Sequence, residues 1–139
     1  METPELSILI KPSRPISETI RSLTGITNEL LETDGVSIKD ALTQLKEFVI
    51  RHTLTNQRIW FFGHNVISFD KLFLEHTIAT YNVHARRPFT LPVISWMDTL
   101  PLARFGLPHM SYFKLISICR YYKTATEQKH RAIGDCHLL

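Results

Sequence analysis

Cysteine is scarce in this chain. Its 139 residues contain two, Cys119 and Cys136, with no spacing that suits a metal site and too few for a disulfide framework. That pattern fits a reducing, cytoplasm-like compartment. No apolar run is long enough to span a bilayer, and no signal-peptide pattern opens the chain. Internal repeats, low-complexity tracts and an interdomain linker are also missing, so residues 1–139 read as a single domain. Neither charge sign dominates strongly: the net charge of +3 permits a polyanionic partner without requiring one. Small basic groupings stand at Arg86-Arg87, Arg120 with Lys123, and Lys129-His130-Arg131.

The residues present suit a folded α/β domain. A hydrophobic fraction of 44% is enough for a globular core. Leu6 to Ile10 is an apolar run stopped by Lys11-Pro12, and it reads as a short buried strand. Ser17 suits the cap of a helix from Glu18 to Leu23, ended by Thr24-Gly25. Thr27 suits the cap of another, through Leu31. Ser37, with Asp40 three residues on, opens a longer helix whose apolar positions are Ile38, Ala41, Leu42, Leu45, Phe48 and Val49. These follow the rhythm of one buried face.

Ile59 to Phe62 reads as a central strand ending at Gly63. Ser68 is then expected to cap a helix that turns Phe69, Leu72, Phe73 and Ala79 inward. Pro92 to Trp96 is a further expected strand, followed by a short helix from Asp98-Thr99 to Arg104. A last helix is expected from Tyr112 to Tyr122, capped by Ser111, with Cys119 as a small core residue. Alternating strands and helices give a layered α/β class.

Two clusters carry most of the chemistry: His64-Asn65-Val66-Ile67-Ser68-Phe69-Asp70 and His130-Arg131-Ala132-Ile133-Gly134-Asp135. Each sets a histidine near a carboxylate. Asp70 falls in the first turn of its helix, where an acid gains roughly 0.3–1 kcal/mol from the helix dipole, so alone it also suits a structural role. His130 and Asp135 are about 140° apart on a helix; they converge only if His130 lies on the preceding loop. Asn65 in its turn suits either substrate contact or a bond to its own backbone.

The order and spacing of these clusters resemble the second and third motifs of the DEDDh 3′→5′ exonucleases. That superfamily includes the epsilon proofreading subunit of bacterial DNA polymerase III. Further segments agree in order: Ile10-Lys11-Pro12 through Arg14-Pro15-Ile16, Leu23-Thr24-Gly25-Ile26-Thr27-Asn28-Glu29, Asp98-Thr99-Leu100 with Leu102-Ala103-Arg104, and Ser111-Tyr112 with Lys114-Leu115. The resemblance implies a ribonuclease H-like exonuclease fold, a mixed sheet flanked by helices. It implies that Asp70 and Asp135 are magnesium (or manganese) ligands in a two-ion site and that His130 is the general base. His64, Asn65 and Phe69 would meet the substrate, with Phe69 packed beneath the site. Asp98 would have a structural hydrogen-bonding role. Single-stranded DNA or RNA 3′ ends would be the substrate, and a DNA polymerase a partner.

The chemistry favours such residues. Two divalent ions about 3.5–4 Å apart serve the attacking and leaving oxygens of a phosphodiester. Magnesium prefers oxygen ligands, and a histidine titrating near neutrality accepts a proton from water. The family's first motif, Asp-x-Glu on its first strand, does not occur in these residues. The expectation is therefore an exonuclease domain without its N-terminal strands, an incomplete or inactive copy. A non-catalytic nucleic-acid-binding or polymerase-associated module is the alternative. Asp70, His130 and Asp135 are expected around one cleft.

Overall fold

The computed structural model describes residues 4–54, 58–92, 94–124, 134 and 136. Helices α1 (Glu18–Thr24), α2 (Asn28–Asp34) and α3 (Ile38–Arg51) come first. Strand β1 (Ile59–Gly63), helix α4 (Asp70–His84), strand β2 (Ile94–Asp98) and helices α5 (Thr99–Gly106) and α6 (Leu115–Tyr121) follow. The α/β class holds.

The first three helices begin where a side-chain oxygen can accept an N–H two or three residues ahead. Ser17 accepts from Ile20 at 3.4 Å, Thr27 from Leu30 at 3.1 Å, and Ser37 from Asp40 at 3.1 Å. The Ser37 hydroxyl also donates to the Asp40 carboxylate at 2.7 Å, closing a capping pair. Gly25 ends α1 with φ 67°, a left-handed conformation that glycine adopts without a Cβ penalty. Asn28 ties the segment before α1 to α2, accepting the Ile16 N–H at 2.9 Å. The apolar stripe of α3 faces inward as its spacing predicts, with Ala41, Leu42 and Val49 buried.

Strands β1 and β2 pair in parallel, from Ile59 against Ile94 to Gly63 against Asp98. A parallel pair needs a long crossover, and α4 lies within it. Phe61 meets Trp96 edge to face, with ring centres 5.1 Å apart. The register matters more than the size of the sheet. It sets the end of β2, Asp98, beside the end of β1, where the loop to α4 begins.

Several expectations are corrected. Leu6 to Ile10 forms no strand; it makes a single parallel bridge, Ile10 to Val36. Two backbone bonds, Lys11 N–H to Val36 O and Val36 N–H to Leu9 O, fix that bridge. An apolar run becomes a strand only where a partner lies alongside, and here the contact is one residue long. β1 is not buried on both faces: Trp60 and Phe62 are exposed, while Ile59 and Phe61 turn in. Among the described residues the sheet has two parallel strands, so β1 has a neighbour along one edge only.

Ser68 does not cap α4. Phe69 holds that position without a side-chain bond, and the Lys71 N–H reaches the Val66 carbonyl instead. Phe69, Leu72 and Phe73 do not point inward, with exposures of 68%, 57% and 68%, and Ala79 is exposed too. Apolar residues are spread around α4, so no single stripe specifies which face turns in. α6 starts at Leu115 with Lys114 at its cap, three residues later than Ser111 would set. Cys119 is buried as expected, and Cys136 is exposed. No helix among the described residues is long and apolar enough to cross a membrane.

Candidate functional site

The loop between β1 and α4 is short, and two features shape it. Gly63 allows Val66 to fold back onto the strand end: a Cβ at Gly63 would lie 2.6 Å from the Val66 Cβ. Val66 is thereby buried. Asn65 then takes φ 65°, a left-handed conformation that asparagine tolerates better than most side chains.

Asp98 holds this loop in place. Its Oδ1 accepts the Asn65 N–H at 2.8 Å and the Leu100 N–H at 2.9 Å; its Oδ2 accepts the Ile67 N–H at 3.2 Å. One carboxylate thus caps α5 and clamps the loop from β1. Burial pushes the Asp98 carboxyl up, but the N–H groups of Leu100, Ile67 and Asn65, with His64 nearby, outweigh it. They hold it below the ordinary aspartate value. The structural hydrogen-bonding role expected of Asp98 is what these bonds describe.

His64 is also committed. Its Nε2 lies 2.6 Å from the Phe113 carbonyl and its Nδ1 3.0 Å from the Thr99 hydroxyl. A carbonyl can only accept, so Nε2 carries a proton. The ring joins the end of β1, the start of α5 and the segment before α6. Thr99 also donates to the Gly63 carbonyl at 3.3 Å.

Asp70 differs from both. It is the first residue of α4, on the surface, and no described side chain bonds its carboxylate. Solvent reaches it, yet the protein around it withholds enough water to push its carboxyl up. Its own backbone N–H pulls the other way, and the nearby Asp98 charge adds to the rise. Apart from its own backbone N–H, the Asp70 carboxylate has no partner among the described residues. Asn65 likewise has its backbone bound and its side-chain amide without a partner among the described residues.

The structure therefore gathers His64, Asn65, Asp70 and Asp98 at one strand-end junction. Phe69 immediately precedes Asp70 but stands exposed, not beneath the site. His130 and Asp135 lie outside the described residues, and so does their expected convergence with Asp70. No group of three or more metal-ligating side chains occurs among the described residues. Sequence reading did not find the groove beside Asn65, about 400 Å³ in volume, lined also by Arg104, Tyr112 and Lys114. The only signal for it was Arg104 and Lys114 within two motif-like segments 10 residues apart.

Comparisons with known proteins bear on the family and the fold. An exonuclease family model of the ribonuclease T type matches residues 1–139. The chain is 35% identical over 125 residues to DNA polymerase III PolC-type of Bacillus cereus, covering 89% of this chain and 8% of that protein. It is 32% identical over 132 residues to the PolC-type polymerase of Mycoplasma genitalium, covering 94% of this chain and again 8% of the other. The chain thus spans a small part of the curated relatives it matches. Among solved structures, Exonuclease X in complex with 5′ overhanging duplex DNA superposes with a TM-score of 0.59. That match covers 94% of this chain and 64% of the other at 22% identity, a likeness of fold.

Proposed function

The chain belongs to the exonuclease family of the ribonuclease T type, and from that premise we propose that it is a DEDDh 3′→5′ exonuclease domain of ribonuclease H-like fold. Its substrate is the 3′ end of a single-stranded DNA or RNA, and a DNA polymerase is its natural partner. The observation that carries this reading is the contrast at the junction: Asp98 and His64 are bonded across the fold, while no described side chain bonds the Asp70 carboxylate.

Asp70 fits a hard divalent cation. It offers oxygen donors in a partly desolvated place where negative charge is already disfavoured. Asp135 would be the second ligand. Magnesium or manganese bound there would neutralise the phosphate and make water more acidic. His130 takes the proton from the attacking water, as a base titrating near neutrality can. Asn65, its backbone clamped by Asp98, presents its amide to the strand. His64, bonded at both nitrogens, contributes the flat of its ring as wall. Phe69, exposed beside Asp70, offers a face for the terminal base.

Asp-x-Glu does not occur in the 139 residues. Two carboxylates alone supply few charged oxygens to position two ions, and positioning accounts for much of such a rate enhancement. In this reading the chain by itself is at most weakly active. The test is release of mononucleotides from a 3′-labelled single strand with manganese. The chain, a version joined to a family-like segment bearing Asp-x-Glu, and Asp70→Asn and His130→Ala in each are compared. Digestion only by the extended form, lost in both variants, is the expected result. Robust digestion by the unextended chain overturns the incompleteness, and digestion indifferent to Asp70 and His130 overturns the site.

A further inference from the structure

The groove beside Asn65 has a composition that the catalytic reading does not use. Arg104, near the end of α5, and Lys114, at the cap of α6, stand on it with Tyr112 between them in sequence. All three are exposed, Tyr112 to 73%. Neither cation has an ion-pair or hydrogen-bond partner among the described residues. Among the described residues no carboxylate lines the groove. The nearest acid in the bonding network, Asp98, has both oxygens occupied by backbone N–H groups. Two of the walls are tied by hydrogen bonds: the His64 ring bonds the Phe113 carbonyl, and the Asn65 backbone N–H bonds Asp98.

Two uncompensated cations, a free amide and an exposed aromatic ring are the parts that hold a nucleic-acid backbone without reading its sequence. A cavity of about 400 Å³ suits a nucleotide-sized unit, and its open form suits a strand that continues past it. One wall is Asn65, in the loop that ends at Asp70. The groove thus shares the loop that presents that carboxylate.

Resting on the exonuclease reading, we propose that this groove is the subsite for the single strand adjoining the scissile phosphate. Arg104 and Lys114 bind backbone phosphates, and one base stacks on Tyr112. The recognition is electrostatic and sequence-independent.

The test is fluorescence anisotropy of the full chain with a labelled oligothymidylate, a chelator present to stop hydrolysis, across a salt series. Arg104→Ala with Lys114→Ala is expected to weaken binding about tenfold or more and to reduce the logarithmic salt slope by about 1.4, or about 0.7 for each phosphate contact on a single strand. Tyr112→Ala weakens it about five- to a hundredfold through lost stacking, and Tyr112→Phe restores it. Arg86→Ala with Arg87→Ala, at the other end of α4, leaves it unchanged. These side chains are exposed, so the variants keep the fold. If the native chain binds but the groove variants bind equally with the same slope, the groove is overturned and the exonuclease reading stands. If the native chain does not bind the strand at all, both fall.

Discussion

The Asp98 carboxylate accepts the backbone N–H of Asn65 across 33 residues of sequence, at 2.8 Å. That bond fixes the loop on which Asp70 is presented, and the first prediction tests it. Asp98→Ala leaves three N–H groups without their acceptor. Hydrogen bonds to a charged group are each worth about 1.5–3 kcal/mol, discounted here because the site is solvent-exposed. A total loss of about 2–3 kcal/mol in urea unfolding is expected. Asp98→Asn, which keeps one oxygen, loses less. Equal stability of Asp98→Ala and the native chain would sink the clamp.

The two aspartates should have opposite pH dependence. Asp98 is held below its ordinary value, so its stabilisation is present above the unfolded-state pKa and is lost as pH falls through the folded one. Asp70 is pushed up. The folded state then binds the proton more tightly, and Asp70 makes stability fall as pH rises from the ordinary value through its raised one. Urea unfolding over an acidic pH series should show Asp70→Asn gaining on the native chain with rising pH, and Asp98→Asn losing. The same sign for both variants contradicts the assignment.

Gly63→Ala and Gly106→Ala form a matched pair. At Gly63 the new methyl meets Val66 at 2.6 Å, whereas at Gly106 nothing lies within 4 Å. Overpacking at Gly63 should cost about 1–3 kcal/mol. Gly106→Ala, at the end of α5, should be neutral or stabilising by up to about 1 kcal/mol through the unfolded state. Thermal melting distinguishes them, and equal shifts would show that Val66 yields.

Divalent cations should bind weakly and through Asp70. Calorimetric titration with manganese is expected to give low affinity that drops further in Asp70→Asn. Few charged oxygens are present to offset dehydration of the ion. Asp98→Asn should retain the binding, because the native Asp98 carboxylate is already bonded to backbone N–H groups. Loss of binding in Asp98→Asn with retention in Asp70→Asn would reverse their roles.

Much of the fold was legible because its causes are local. Ser17, Thr27 and Ser37 reach partners three residues away, and the α3 stripe repeats within each turn. The end of β1 at Gly63, and Asp70 in the first turn of the next helix, follow from the same short-range grammar. Family membership was legible too, because ordered motifs survive in sequence whatever the geometry between them.

What only the tertiary structure decided depends on separation along the chain. Leu6 to Ile10 has the residues of a strand, yet strand pairing requires a neighbour, and one bridge to Val36 was the outcome. Phe69, Leu72 and Phe73 are apolar but exposed, because burial depends on what packs opposite and α4 has no single apolar face. The bond from the His64 ring to Phe113, 49 residues away, is invisible in the sequence. Asp98 and Asp70 have the same side chain, and sequence reading assigned their roles by resemblance. The parallel register of β1 on β2 sets Asp98 where three N–H groups converge, whereas no described side chain bonds the Asp70 carboxylate.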